Sequence, residues 1–207
     1  MIIVHHLNES RSQRVLWLLE ELGLPYEIRH YARNATTRLA PPELQAVHPL
    51  GKSPVVEADG LKLIESGAIV DYLIRRHGGG RLRPALDTTD FESYQQWLHY
   101  AEGSAMLPLM LKLYTGRLGD AAAPLKPRVD SELANHLGHV NRALEGREFL
   151  VGSSLTGADV QMSFVGEAAR DLRPQYPAMD AWVRRLQARP AYQRALQRGG
   201  PYALATP

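Results

Sequence analysis

The sequence predicts an α/β domain over residues 1–77, a linker over 78–86 and an all-α domain over 87–207. Three observations support that division. An apolar strand, an amphipathic helix and a second strand follow one another through residues 2–30, a β-α-β unit whose strands run parallel because a crossover helix joins them. A second pair of strands is hinged on Asp59-Gly60, a strong hairpin signal, and leads into another helix. Beyond the triple glycine at 78–80 no strand pattern recurs, and apolar residues repeat only at helical spacing.

Each element has its own warrant. Residues 2–6, Ile-Ile-Val-His-His, read as a short buried strand on which His5 and His6 alternate sides. Asn8, Glu9, Ser10 and Ser12 supply helix-start chemistry. Val15, Leu16, Leu18, Leu19 and Leu22 then fall at helical spacing, and Gly23 with Pro25 closes the helix. Residues 26–30 form the second strand, and 32–47 are irregular apart from a helical turn opened by Pro41-Pro42. Residues 55–58 and 61–64 make the hairpin, and a helix over 65–77 sets Ala68, Ile69, Tyr72 and Leu73 on one side. In the second part helices are expected over 87–113, 126–144, 156–170, 177–188 and from Ala191 onward, with turns at 121–124 and 146–154.

Composition excludes several functions. The chain carries 24 Lys/Arg and 22 Asp/Glu, of which residues 1–77 hold 9 and 9 and the remainder 15 and 13. Neither part has the positive excess that neutralises nucleic-acid phosphates, so no nucleic-acid partner is expected. There is no cysteine, which excludes disulfides, a thiolate metal site, a Cys-x-x-Cys redox pair and a cysteine nucleophile. The first residues lack the basic region of a signal peptide, and no apolar run reaches transmembrane length. A cytoplasmic protein with no membrane partner is expected.

The most informative stretch is His48-Pro49-Leu50-Gly51-Lys52-Ser53-Pro54-Val55-Val56, followed by Leu63-Ile64-Glu65-Ser66. Pro54 precedes a β-branched run and forces extended backbone on both sides. A cis bond there would turn neighbouring N–H and C=O groups outward as a binding edge. Glu65-Ser66 opens a helix whose free N–H groups suit an anion, although helix capping is the better explanation of the pair taken without the nearby proline. Gly51-Lys52-Ser53 is not a phosphate loop, because Ala46 stands where its first glycine is needed and a strand, not a helix, follows.

These motifs, with Ser10-Arg11-Ser12-Gln13-Arg14-Val15-Leu16-Trp17 and Ser154-Leu155-Thr156-Gly157-Ala158-Asp159, resemble the cytosolic glutathione S-transferase superfamily over nearly the whole chain. The opening segment is most similar to its bacterial and fungal branch, related to a yeast transferase. The resemblance implies a thioredoxin-like N-terminal domain and an all-α C-terminal helical domain that contributes the electrophile pocket. It also implies glutathione as co-substrate, no metal, and a homodimer. Ser66 and the positive helix end would hold the γ-glutamyl carboxylate, with Glu65 near the α-ammonium. Val55, placed by Ser53-Pro54, would pair with the cysteinyl backbone like an added strand, and Lys52 would approach the glycyl carboxylate.

The implied chemistry is thiol activation. A thiol of pKa ~8.5 is about 3% ionised at neutral pH, and lowering that pKa by ~2 units takes roughly 2.7 kcal/mol. Ser10 falls where serine-type members keep their catalytic hydroxyl. Asn8, Glu9 and Ser12 are close enough to take that place instead, Arg11 is a further candidate for anion binding or thiolate support, and plain helix capping competes as an explanation of Ser10. Thr156-Gly157-Ala158-Asp159 is a folding device, a capping-box pattern with Leu155 as staple. Glu132, His136 and His139 share a helical face that reads as solvated and polar. Arg184, Arg185, Arg189, Arg194 and Arg198 read as an exposed basic surface. Tyr94, Trp97, Tyr100, Met106, Met110 and Tyr114 read mainly as helix core, some of them facing the electrophile. The expected activity is conjugation of glutathione to a hydrophobic electrophile, with peroxide reduction as a side activity. The rival readings are a non-catalytic binding or regulatory protein, a non-turning carrier, and a glutathione-dependent isomerase or dehalogenase.

Overall fold

The computed structural model describes residues 1–205 and divides into two compact units, one of residues 1–83 with those from Leu186 onward, the other Pro84–Arg185. In the first unit the strands β1 (Ile2–Leu7), β2 (Tyr26–Tyr31), β3 (Val55–Ala58) and β4 (Leu61–Leu63) form one sheet in the order β2-β1-β3-β4. β1 and β2 run parallel from Ile2↔Tyr26 to Leu7↔Tyr31, and β3 lies antiparallel to β1 with His5 opposite Val55. The helices of this part are α1 (Ser12–Leu22), α2 (Pro42–Val47) and α3 (Ser66–His77). Gly23 ends α1 in the left-handed region at φ 67, as the expected glycine stop requires. Asp59 and Gly60 both take positive φ, 52 and 78, the geometry of a tight hairpin.

Nine of the eleven residues of α1 are buried, polar ones included, so the helix is covered on nearly every side. The cover comes partly from α3 and partly from the last helix, α9 (Pro190–Gly199), which packs with the first unit and not with the helical domain expected over 87–207. The buried Ala191, Ala195 and Gly199 recur every four residues along α9, a small-residue face that lets two backbones approach closely. A methyl group on Gly199 would lie 2.9 Å from Leu16 Cδ1 and 2.9 Å from Gln13 Oε1. Tyr192 meets Trp17 edge-on at 5.4 Å. Arg189 reaches Glu21 at 2.5 Å, while Arg194 and Arg198 reach Glu20 at 2.8 and 3.0 Å. Arg198 also lies 3.7 Å over the Tyr26 ring. Arg184 pairs with Asp180 and Arg185 donates to the carbonyls of Arg147 and Glu148. All five arginines of the expected basic surface therefore have acceptors.

The two histidines of β1 serve opposite sides of the sheet. His5 Nδ1 contacts the Tyr31 hydroxyl at 2.9 Å, and its Nε2 contacts Glu57 at 3.3 Å. His6 Nδ1 lies 2.8 Å from Ser12 Oγ, and the ring also hydrogen-bonds the Gly199 backbone. Burial, with His30 nearby, holds the His6 pKa down to about 4. The neutral ring accepts from Ser12 and donates to Gly199.

The second unit is helical: α4 (Thr89–Tyr100), α5 (Met106–Thr115), α6 (Lys126–Leu144), α7 (Gly157–Ala168) and most of α8 (Pro177–Gln187). The single helix expected over 87–113 is interrupted at Ala101–Ala105 by a wide π turn, where Ala, Gly and Ser crowd the enlarged turn least. Val129, Leu133, Leu137, Val140 and Leu144 form the buried stripe of α6. α7 is buried from Gly157 to Glu167 and is capped as expected, with Thr156 and Asp159 bonded reciprocally. Asp159 does more than cap. Its carboxylate accepts from the Leu150 N–H at 2.9 Å, the Thr156 N–H at 3.0 Å, the Thr156 hydroxyl at 3.1 Å and Trp182 Nε1 at 3.1 Å. It thus ties the loop before α7 to α8. The Tyr100 hydroxyl lies 2.7 Å from His136 Nδ1, and His139 stacks on Trp97 at 5.3 Å.

Replacing Asp159 with Ala strands four buried donors. The expected loss is about 2–4 kcal/mol, read as a lower urea midpoint. His6 generates a pH dependence. Its folded pKa, about 4, lies below the ordinary 6.5, so between those values the unfolded chain binds the extra proton. The contribution is complete above 6.5 and is lost as pH falls toward 4, on the order of 3 kcal/mol in all. Urea titrations across that window are expected to show the slope in the wild type and lose it in His6→Asn.

Candidate functional site

The site residues expected from sequence lie mostly at one end of the sheet, where β1 passes into α1. The Ser53–Pro54 bond is cis, and Pro54 is buried at the start of β3. Ser53 Oγ donates to the His5 carbonyl at 2.9 Å and accepts the Leu7 N–H at 3.2 Å, fastening the residue before Pro54 to β1. Val55 is buried and paired with His5 on the β1 side. The ladder to β4 begins only at Val56↔Leu63, so Val55 extends past it. That overhang is where an extended peptide can add.

Ser10 is buried in the loop ahead of α1. Its Oγ accepts the Ser12 N–H at 3.2 Å and lies 2.8 Å from Ser12 Oγ and 3.3 Å from Ser53 Oγ. Ser12 points its own hydroxyl at His6, so Ser12 Oγ can receive the Ser10 proton. The Ser10 side chain therefore performs the helix-start role and retains one hydroxyl proton to direct. Asn8 is half-buried, and its Oδ1 accepts the Arg33 N–H at 2.7 Å. Arg11 is half-buried at the boundary of α1 with helical dihedrals. Lys52 is exposed, one residue before Ser53.

At the other helix start, Glu65 has φ 64 and ψ 113, a conformation costing a side-chain-bearing residue roughly 1–3 kcal/mol. Its carboxylate is exposed and makes no capping bond to α3. Ser66 is buried, and its Oγ accepts from Arg14 Nη1 at 3.2 Å. The α3 N-terminus thus carries no side-chain cap from Glu65.

Two residues that sequence reasoning left without a role belong to this framework. Arg14, almost wholly buried in α1, places a positive charge behind Ser66. A charged residue among the apolar positions of the first helix was the signal for it. Arg33 follows β2 and donates to the loop that carries Asn8 and Glu9. It lies in a stretch without periodicity, and nothing local marked it. Among the described residues no group of three or more His, Asp or Glu is arranged to hold a metal ion. Nor is any helix there long and apolar enough to cross a membrane.

Comparison with known proteins gives the same picture. Residues 1–75 match the glutathione S-transferase N-terminal domain family, and residues 104–190 match its C-terminal domain family. Glutathione S-transferase 3 of Schizosaccharomyces pombe is 34% identical, covering 96% of this chain and 88% of its own. Glutathione S-transferase 1 of Saccharomyces cerevisiae is 33% identical, covering 93% and 92%. A glutathione S-transferase crystal structure from Actinobacillus pleuropneumoniae superposes with a TM-score of 0.92 at 34% identity, covering 99% of this chain and 96% of that one. Matched in both halves and a third identical to relatives along almost its whole length, the chain belongs to the glutathione S-transferase family.

Proposed function

We propose that this protein conjugates glutathione, as its thiolate, to a hydrophobic electrophile. One observation carries the reading: three motifs far apart in sequence are fastened together by side-chain hydrogen bonds. Ser10, ahead of α1, meets Ser53 beside the cis proline at 3.3 Å, and Arg14 of α1 meets Ser66 at the start of α3 at 3.2 Å. A tripeptide with an anion at each end and a thiol between them matches that set.

The γ-glutamyl carboxylate takes the N–H groups opening α3 and the Ser66 hydroxyl, with the Arg14 charge behind it. Glu65 faces the α-ammonium. The cysteinyl backbone pairs with Val55, placed by Ser53 and Pro54, and exposed Lys52 meets the glycyl carboxylate. The sulfur then lies by the loop of Asn8, Ser10 and Arg11. Stabilising the thiolate by roughly 2.7 kcal/mol over the thiol makes it the dominant form at neutral pH, and donors fixed ahead of binding provide this without reorganisation. The sulfur lone pair forms the new bond to carbon, the leaving group departs with its electrons, and the thiol proton has already gone to solvent. Because the chain has no cysteine, it forms no mixed disulfide of its own with glutathione. On this reading the protein works in the cytoplasm as a detoxifying homodimer, with peroxide reduction by glutathione as a secondary activity.

Steady-state conjugation with an activated aryl chloride tests the assignment. Ser66→Ala is expected to raise KM for glutathione about tenfold or more with kcat little changed, a charge-assisted hydrogen bond being worth about 1.5–3 kcal/mol. Ser10→Ala is expected to lower kcat instead. Absence of thioether product from the wild-type protein overturns the transferase reading.

A further inference from the structure

Arg33 braces the turn from β1 to α1 with its backbone N–H and its guanidinium. Arg33, two residues past β2, donates its backbone N–H to Asn8 Oδ1 at 2.7 Å and its Nε to the Asn8 carbonyl at 3.1 Å. Its Nη2 reaches the Glu9 carbonyl at 3.3 Å, and its Nη1 reaches the Arg38 carbonyl at 3.0 Å. Arg38 in turn pairs with the Glu9 carboxylate. Glu9 and Arg38 both sit in the left-handed region, at φ 51 and 61, where a non-glycine residue persists only when its surroundings hold it. A planar fork of fixed donors is suited to hold several carbonyls at once, and an ammonium is not.

Two consequences follow for the donors facing the other way. The Arg33 N–H demands an acceptor, so the Asn8 amide is fixed with Oδ1 toward Arg33 and its NH2 turned away. No described residue accepts from that NH2. In a trans peptide the C=O and N–H point in opposite directions. With the Asn8 and Glu9 carbonyls drawn to the guanidinium, the N–H groups of Glu9 and Ser10 point away from it, and neither has an acceptor among the described residues. The cation on the carbonyl side polarises both peptides and strengthens those N–H donors.

We infer that Arg33 is the positioning residue of the thiol site, aiming the Asn8 amide and the N–H groups of Glu9 and Ser10 at the sulfur of bound glutathione without touching it. The inference rests on the transferase reading and deepens it. It makes thiol activation a property of an oriented loop as much as of the Ser10 hydroxyl.

The test compares Arg33→Lys and Arg33→Gln with the wild type, using glutathione and S-methylglutathione, which has no ionisable thiol. Retained binding of S-methylglutathione within about twofold is expected, because the peptide cradle does not involve Arg33. The pKa of bound glutathione, read from ultraviolet thiolate absorbance and from the pH profile of kcat/KM, is expected to rise by about one unit. Asn8→Ala added to Arg33→Lys is expected to raise it little further, since Asn8 acts through the orientation that Arg33 sets. An unchanged thiol pKa in both Arg33 variants overturns the inference, as does a parallel collapse of S-methylglutathione binding, which marks a purely structural arginine. A wild-type protein that binds neither ligand instead sinks the transferase reading itself, and this inference with it.

Discussion

Burial of α1 on nearly every side is the constraint from which the site follows. A helix enclosed by α3, β1 and α9 cannot rotate or slide without exposing Val15, Leu16, Trp17, Leu18 and Leu19, each worth about 1.5–3 kcal/mol when fully buried. Its polar residues are consequently locked as well. Arg14 stays aimed at Ser66, and Ser12 stays between His6 and Ser10. The loop at its start is therefore presented on a rigid support, and thiol activation by donors placed in advance requires such a support.

The electrostatics are local. Residues 1–77 hold as many acidic as basic residues, so no broad positive field draws in an anionic tripeptide. On the proposed reading the attraction comes from a few oriented groups instead: the N-terminus of α3, Arg14 behind Ser66, and Arg33 behind the peptides of Asn8 and Glu9. Two of these are guanidiniums that hold protein groups, and on that reading they would act on the ligand through what they hold. The Ser53, Ser10, Ser12 and His6 chain joins the cis-proline segment to α1 and, at its far end, to Gly199 of α9. A neutral His6 accepts the Ser12 proton, as the His5 carbonyl accepts the Ser53 proton, so both hydroxyls beside Ser10 are left as acceptors.

Much of the fold was legible because local signals decide it. Helical spacing located α1, α3 and α6, Asp59-Gly60 marked the hairpin, and Thr156 with Asp159 marked the start of α7. The motif residues were legible by type and spacing, but their partners were not, since those partnerships are long-range. Nothing near Arg14 points to Ser66, 52 positions away, and nothing near Arg33 points to Asn8, 25 positions back. The return of α9 to the first unit rests on Arg189, Arg194 and Arg198 meeting glutamates 168 to 178 positions earlier, so the arginines read as free surface. The π turn at Ala101–Ala105 escaped for another reason: one enlarged turn leaves the apolar spacing on either side helical.

The central claim is that this loop and cradle bind glutathione in its thiolate form. Calorimetric titration with glutathione near pH 7, in two buffers of different ionisation enthalpy, measures protons exchanged directly. The account expects saturable binding with release of about one proton per glutathione, because a thiol some 3% ionised in water becomes thiolate on the protein. Binding with no proton release would contradict it, leaving a peptide cradle that does not activate the sulfur.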